Sequence, residues 1–238
     1  MPLKPDFLVA LREATAKRGA MLIFDEVVTG FRVSKGGAQA AFGITPDLTA
    51  LAKILAGGLP GGAVCGRKEI LDLLDFEVAE KCSREKIAHP GTYNANPLSA
   101  AAGTAALAIV EAEDPSQVAS RYAAELRGRL NDMLAAERIP WAVYGTFSGF
   151  HIFLNPRQRP ISAPRFDPFS VAYQEITANP ASLVRKLRLS LLLNGIDVNG
   201  RLSGFVSATH GPAELEATVT GFRKALGMLR SEGEVPTA

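Results

Sequence analysis

Two ionisable side chains, Asp25 and Lys53, lie where two strand-like segments end. Asp25 follows the continuous apolar run at residues 20–24, and Lys53 follows the short run at residues 47–52. A carboxylate at the end of a buried strand stays ionised only with a cationic or hydrogen-bonding partner. A lysine that leads into a glycine-rich loop, here residues 57–62, can act as a nucleophile or a base. The two residues are therefore a candidate catalytic pair.

An acid and a lysine together suit the chemistry of pyridoxal 5'-phosphate. The lysine forms a Schiff base with this cofactor, and the acid keeps the pyridine nitrogen protonated so that the ring accepts electrons from a carbanion. On spacing alone, ordinary structural roles are more common, because an aspartate at a strand end is usually a cap or an ion-pair partner. A single lysine is usually a solvated surface residue. The spacing leaves both interpretations open.

The segments around the pair predict an α/β unit. Helical spacing of apolar residues over residues 3–18, followed by Gly19 at a C-cap position, predicts a helix. The apolar run at residues 20–24 then predicts a strand that is buried on both faces of a parallel sheet. In open α/β sheets, ligands bind outside the carboxyl ends of the strands, which is where Asp25 lies.

The rest of the chain predicts alternating elements and a second domain. Asn96 is a candidate N-cap with Pro97 at the first helical position, and residues 29–46 and 77–90 predict irregular segments. We place a domain boundary near residues 112–116, between an α/β unit and a smaller α+β unit. Strands are predicted at residues 47–52, 63–65, 141–147, 150–154, 196–198 and 205–207, and helices at residues 68–74, 97–111, 116–137, 181–193 and 212–229.

Three segments, in order, resemble the motifs of the class III (ω-type) pyridoxal-phosphate-dependent aminotransferases. They are residues 22–32 (LIFDEVVTGFR), residues 45–62 with Lys53 and the glycine-rich loop, and residues 91–98 (GTYNANPL). The resemblance is closest to the branch that holds glutamate-1-semialdehyde 2,1-aminomutase. It implies part of a fold type I large domain with a mixed, mostly parallel sheet over residues 1–113. It also implies a small C-terminal α+β domain over residues 114–238.

The same resemblance implies roles for five residues. Asp25 would pair with the pyridine nitrogen, and Lys53 would hold the cofactor as a Schiff base. Val27 would pack against the ring, unless it is an ordinary core valine. Thr92, beside Gly91, which allows close approach, would bind the cofactor phosphate of the partner subunit across a dimer interface, unless it is only a turn residue.

Other polar residues are expected to be structural. Glu26 and Arg32 would pair with each other or with neighbouring loops, and no catalytic role is predicted for them. The histidines are likewise expected to be core, edge or loop residues. The arginines of the loop at residues 155–168 either reach a substrate carboxylate or, as the more common case, form a solvated loop.

The members of the family are much longer than this chain, which is similar to their C-terminal half. The expected missing segment carries a phosphate-binding Gly-Ser/Thr loop, an aromatic residue that stacks on the pyridine ring and much of the sheet. Missing strands would leave a sheet edge and an apolar face exposed. The resemblance therefore implies either a homodimer or a complex with a partner that carries the missing N-terminal half.

The resemblance implies transfer of an amino group from a small-molecule amino donor to a keto acid or aldehyde acceptor. Aminomutases of this branch carry an acid just before a strand near the C-terminus, and residues 201–205 (RLSGF) have none. This difference favours a general aminotransferase. An aminomutase, or a non-catalytic fragment that serves as an interaction module, stays an alternative.

Composition excludes several other classes of protein. The 238 residues include 26 Lys and Arg against 24 Asp and Glu, and the basic residues are scattered, so no nucleic-acid partner is expected. No stretch approaches the length of a membrane-spanning helix, and we expect no membrane partner. The two cysteines suit neither a disulfide framework nor a zinc site, so no metal is expected. A cytoplasmic location follows as an expectation.

Overall fold

Two structural units, divided between Ser116 and Gln117, make up the chain. The computed structural model describes residues 2–4 and 6–236. The first unit comprises residues 6–116, and the second comprises residues 117–236 together with residues 2–4.

The first unit is a small mixed sheet with helices around it. Strand β1 (Ile23–Asp25) pairs in parallel with β2 (Leu48–Ala52), which pairs antiparallel with β3 (Gly62–Gly66). A mixed sheet agrees with the sequence-based expectation. The helices are α1 (Phe7–Lys17), α2 (Gly37–Phe42), α3 (Lys68–Leu71), α4 (Phe76–Lys81) and α5 (Pro97–Glu113), with 3-10 turns at Lys53–Ala56 and Asp72–Leu74.

The sheet of the first unit is largely open to solvent. Ile23 in β1 is 57% exposed, and every residue of β3 is exposed, so the prediction of a first strand buried on both faces is wrong for this chain. Within the described residues, β1 and β3 have no further strand on their outer sides. The expected exposed sheet edge is therefore present, and apolar side chains on the sheet lack a covering layer.

Asp47 joins three segments of the first unit. Its Oδ2 accepts hydrogen bonds from Arg12 Nη1 at 2.9 Å and from the Leu22 amide at 2.7 Å, while its Oδ1 accepts one from Arg67 Nη1 at 3.1 Å. The backbone amide and the two guanidinium groups lower the pKa of Asp47 to about 2. The carboxylate thus fixes α1 and the start of β2 beside the entry to β1.

The second unit is an α+β fold with its own core. Strands β4 (Ala142–Tyr144), β5 (Gly149–Phe153) and β6 (Ser203–Phe205) form an antiparallel sheet. The helices are α6 (Pro115–Ala136), α7 (Tyr173–Ile176), α8 (Ala181–Leu193) and α9 (Pro212–Ser231), with 3-10 turns at Ala163–Arg165 and Pro168–Ser170. The core includes Leu126, Leu130, Leu134, Leu187, Leu191, Phe222, Leu226 and Leu229.

Four predicted segments differ from the structure. Residues 29–46 contain helix α2, and residues 77–90 overlap helix α4, whose start is capped by Asp75 Oδ1 accepting from the Val78 amide. Residues 196–198 form no strand, because the Val198 carbonyl accepts from Arg188 Nε instead of a strand neighbour. The strand predicted at residues 205–207 is β6, which begins two residues earlier.

The longest predicted helices are confirmed. Helix α5 begins at Pro97, and the Asn96 side chain caps it by accepting from the amides of Leu98 and Ser99. Helices α6, α8 and α9 start and end within a few residues of the predicted positions. No helix among the described residues has the length and apolar character needed to cross a membrane.

Candidate active site

Asp25 and Lys53 lie at the same edge of the sheet of the first unit. Asp25 is the last residue of β1, and Lys53 directly follows the last residue of β2. The two strands are parallel, with Asp25 opposite Ala50. Strand geometry then puts the Cα atoms of Asp25 and Lys53 on the order of 10 Å apart. Both residues are exposed and lie at the carboxyl ends of the two strands.

The backbone at Lys53 is strained. Its φ angle of 54° lies in the left-handed region, which costs a non-glycine residue about 1–2 kcal/mol. Strain of this kind persists only where the surrounding structure enforces it, and it is concentrated at functional sites. In the described chain, Lys53 Nζ makes no hydrogen bond or ion pair, so the amine is available to a ligand.

Helix α5 supports the turn that begins at Lys53. A Cβ atom on Gly103 of α5 would lie 2.6 Å from the Leu55 carbonyl oxygen, so only glycine permits this approach. Ser99 Oγ also donates to the Pro60 carbonyl at 2.6 Å, which joins α5 to the glycine-rich loop. The helix therefore holds both sides of the Lys53 turn.

The Asp25 carboxylate is oriented by its own chain. Oδ1 accepts a hydrogen bond from the Val27 amide at 3.0 Å, and within the described residues Oδ2 has no hydrogen-bond partner. Val27 itself is half-buried. One carboxylate oxygen is thus fixed, and the other can accept a hydrogen bond from a ligand.

Glu26 is buried and caps a helix, a role that the sequence analysis missed. Its Oε2 accepts from the Ala38 amide at 2.6 Å and its Oε1 from the Gln39 amide at 2.9 Å, at the start of α2. Thr29 Oγ1 also donates to Oε2, at 2.9 Å. The run GGAQAAF favours a helix after Gly37 but has no local N-cap residue. This combination could have indicated that a residue distant in sequence caps the helix.

Gly91 and Thr92 lie in a turn before α5. The Gly91 carbonyl accepts from the Asn94 amide at 3.0 Å, and Thr92 is exposed. Asp25, Val27 and Lys53 lie at or just beyond the strand ends, whereas Gly91 and Thr92 belong to this turn. A cleft of about 780 Å³ lies between this turn, α5 and residues 60–62.

The loop arginines of the second unit are not simply solvated. Arg159 forms a bidentate salt bridge with the buried carboxylate of Glu175, in which Nε donates to Oε1 at 2.6 Å and Nη2 donates to Oε2 at 2.7 Å. Arg157 Nε lies 3.6 Å from Glu175 Oε2. The hydrogen bonds from Arg159 lower the pKa of Glu175. The side chains of Arg157 and Arg159 are 69% and 44% exposed, so they stay solvated as expected, while Arg159 also anchors the loop to Glu175.

Two of the histidines have structural contacts, as expected. The His151 ring stacks on Tyr144, with ring centroids 5.1 Å apart, and burial lowers the pKa of His151 to about 4. His210 Nδ1 accepts from the Ser207 amide at 3.1 Å. Among the residues that the structure describes, no cluster of histidine, cysteine or acidic side chains could hold a metal ion.

Comparison with known proteins identifies the family. The family model for class-III aminotransferases matches residues 1–164, which is more than half of the chain. The chain belongs to the class-III aminotransferases. Both the family and the mixed α/β fold expected from the sequence are thereby confirmed.

Class-III relatives include curated aminomutases. The chain is 35% identical over 234 residues to the glutamate-1-semialdehyde 2,1-aminomutase of Pyrobaculum aerophilum, which covers 95% of this chain and 50% of that protein. It is 51% identical over 116 residues to the enzyme of the same name from Sulfolobus acidocaldarius, covering 49% of this chain and 26% of that protein. The chain thus spans about half the length of the first of these relatives.

Transaminases are among the structural neighbours. An ω-transaminase from Sphaerobacter thermophilus superposes with a TM-score of 0.79 at 35% identity, covering 97% of this chain and 49% of that one. A β-phenylalanine aminotransferase from Variovorax paradoxus gives a TM-score of 0.81 at 28% identity, covering 100% and 51%. A transaminase with pyridoxal phosphate bound gives 0.77 at 30% identity, covering 98% and 50%.

Proposed function

We propose that this chain provides the Asp25–Lys53 part of a pyridoxal-phosphate site and acts in the transfer of an amino group between an amino compound and a keto acid or aldehyde. The observation that carries the proposal is the position of these two residues at the carboxyl ends of neighbouring parallel strands. Because the chain belongs to the class-III aminotransferases, we interpret this geometry as part of a pyridoxal-phosphate site.

The residues present fit the cofactor. Asp25 Oδ2 and Lys53 Nζ have no protein partner among the described residues, although both lie at the same sheet edge. A carboxylate oxygen is the acceptor that a protonated pyridine nitrogen needs, and a primary amine is the group that bonds to an aldehyde carbon. Val27, one residue beyond Glu26, would pack against a face of the ring.

Each of these residues has a distinct task. When bound, pyridoxal phosphate supplies an electron sink for the carbanion that forms on the substrate. Asp25 Oδ2 would hold the proton on the ring nitrogen. Lys53 Nζ would hold the cofactor through its aldehyde carbon, and its amine would accept and return a proton at the substrate carbon.

Gly91 and Thr92 complete the proposed cofactor site from another subunit. Thr92 offers a hydroxyl group and a backbone amide in an exposed turn before α5, and both groups are donors that suit a phosphate. The exposure of this turn supports a role across a dimer interface.

The exposed sheet supports a further partner, namely a polypeptide that supplies the other half of the class-III fold. Met21 and Ile23 at β1, and Val64 in β3, are each more than half exposed. Unpaired strand edges and apolar side chains of this kind accept additional strands. The chain also spans only about half of its relatives, which agrees with such a complement.

A measurement of amino-group transfer tests the proposal. The chain is loaded with pyridoxal phosphate, alone or mixed with the segment of the Sphaerobacter thermophilus ω-transaminase that it does not match, and an amino donor is added. We expect pyridoxamine phosphate to form with wild-type chain in the complemented mixture and not with Lys53→Ala. Equal formation with Lys53→Ala, or none in either mixture, would overturn the proposal.

The relatives named aminomutases favour a second candidate, the intramolecular transfer of an amino group. The same assay separates the two functions. An aminotransferase needs an external carbonyl acceptor for repeated turnover, whereas an aminomutase converts glutamate-1-semialdehyde without one. The absence of an acid in residues 201–205 leads us to expect dependence on the acceptor.

A further inference from the structure

The Glu26 carboxylate lies next to Asp25 in sequence, although it points into the protein. It is 1% exposed, and both of its oxygens accept hydrogen bonds from other segments. Two of these bonds come from the backbone at the start of α2, and a third comes from Thr29. The side chain therefore joins the residue after Asp25 to a helix twelve residues farther along the chain.

The network continues from Glu26 to the strand that leads to Lys53. Gln39 Nε2 lies 3.3 Å from Glu26 Oε1 and 3.3 Å from Thr49 Oγ1 in β2. The Glu26 amide also donates to the Ala50 carbonyl at 2.9 Å. The backbone and the side chain of Glu26 thus both tie the end of β1 to β2.

Gly37 shows how closely this carboxylate is enclosed. Its φ angle is +72°, and a Cβ atom built there would lie 2.5 Å from Glu26 Oε2. The backbone of residue 37 therefore fits against the carboxylate only because glycine has no side chain. The enclosure leaves Glu26 little freedom to change its conformation.

We propose that Glu26 is a positioning residue that fixes the direction of the Asp25 carboxylate relative to Lys53. The amide that orients Asp25 Oδ1 belongs to Val27, the residue directly after Glu26. The carbonyl of the Glu26–Val27 peptide also accepts from the Gly30 amide at 2.8 Å. With the Glu26 side chain, amide and carbonyl all hydrogen-bonded, this peptide is held in place and the Val27 N–H keeps its direction. The consequence for the cofactor rests on the proposed function, but the effect on Asp25 does not.

Nuclear magnetic resonance of the chain without cofactor tests the positioning role. The amide hydrogen of Val27 is protected from exchange with solvent as long as it donates to Asp25 Oδ1. In Glu26→Gln, one amide hydrogen of the new side chain faces a backbone donor, so the anchor is broken at unchanged size. We expect this protection to be lost in Glu26→Gln and in Asp25→Ala, and to persist in Glu77→Gln, an exposed control in α4.

A double-mutant cycle tests the consequence for the cofactor. We expect Glu26→Gln to weaken pyridoxal phosphate binding about 10-fold in the wild-type background, as for the loss of one good hydrogen bond. In the Asp25→Asn background, the same change should have an effect of under about twofold, because it acts through Asp25. Thr29→Val, which removes one bond to Glu26, provides a milder variant if Glu26→Gln fails to fold.

Two results would overturn the positioning role. One is a Val27 amide that keeps its protection from exchange in Glu26→Gln and in Thr29→Val. The other is an equal weakening of cofactor binding by Glu26→Gln with and without Asp25, which would show a general structural effect. If wild-type chain binds no cofactor, the proposed function fails, and the Val27 measurement still decides the role of Glu26.

Discussion

Asp25 ends one strand and Lys53 follows the end of the neighbouring parallel strand, so that both residues lie at the carboxyl ends of the two strands. The register fixes this relationship, since Asp25 is opposite Ala50. A lysine with a left-handed backbone and an aspartate with one free oxygen are thereby held close together.

Glycine at position 37 is needed for the Glu26 contact. Gly37→Ala and Gly43→Ala, at opposite ends of α2, both place a side chain at a positive φ angle. This conformation lowers the free energy of unfolding by about 1–2 kcal/mol in each case. Only Gly37→Ala also drives a Cβ atom into a carboxylate, for about 1–3 kcal/mol more. Urea denaturation measures both changes. Equal destabilisation would mean that Glu26 yields freely to the new methyl group.

Glycine at position 103 is needed for the Lys53 turn. Gly103→Ala should destabilise the first unit by about 1–3 kcal/mol, because the new Cβ atom meets the Leu55 carbonyl oxygen. Gly128→Ala in α6 meets no neighbour and should stabilise the second unit by about 0.5–1 kcal/mol. Thermal unfolding gives the sign of each change. A stabilising Gly103→Ala would contradict the close approach of α5.

The first unit should lose stability in acid because of Asp47. Its pKa is about 2 in the folded chain, below the ordinary value of 3.8, so its contribution is fully present above pH 3.8. That contribution is lost as the pH falls towards about 2. Asp47→Asn should therefore flatten the dependence of the free energy of unfolding on pH between these values. Glu77→Gln, which changes an exposed acid in the same unit, should leave the dependence unchanged.

The second unit should respond to pH through His151. Burial lowers its pKa to about 4 from the ordinary 6.5, so the unfolded chain binds a proton that the folded chain excludes. The free energy of unfolding should fall as the pH is lowered from 6.5 to about 4. His151→Phe keeps a ring against Tyr144 and should remove this dependence. His210→Gln, at an exposed histidine, serves as the control, and an unchanged slope in His151→Phe would refute the assignment.

Local patterns were sufficient to predict the long helices and the three strands of the first unit. Asn96 and Pro97 mark the start of α5 in the sequence, because a cap and a first-turn proline act within a few residues. The apolar runs before Asp25 and Lys53 likewise indicate strands, and their parallel pairing places the two side chains at one edge. This part of the candidate site could be predicted.

Contacts between distant segments could not be predicted from local patterns. Helix α2 depends on Glu26, which lies outside the helix and twelve residues before Ala38. The Lys53 turn depends on Gly103, fifty residues later. The apolar residues of β1 by themselves indicate burial, and only the comparison with the longer family members led to the expectation of an exposed sheet. For α2 and the Lys53 turn, the deciding contact lies far away in sequence.

The most direct test of the account is to locate the covalent bond between pyridoxal phosphate and the chain. The chain is incubated with the cofactor, reduced with borohydride and digested, and the modified lysine is identified by mass spectrometry. We expect the pyridoxyl group on Lys53, a visible absorbance band that reduction removes, and neither in Lys53→Ala. Lys81→Ala, at an exposed lysine in α4, should label like wild-type chain. Label spread over surface lysines, or an unchanged yield in Lys53→Ala, would contradict the proposed site.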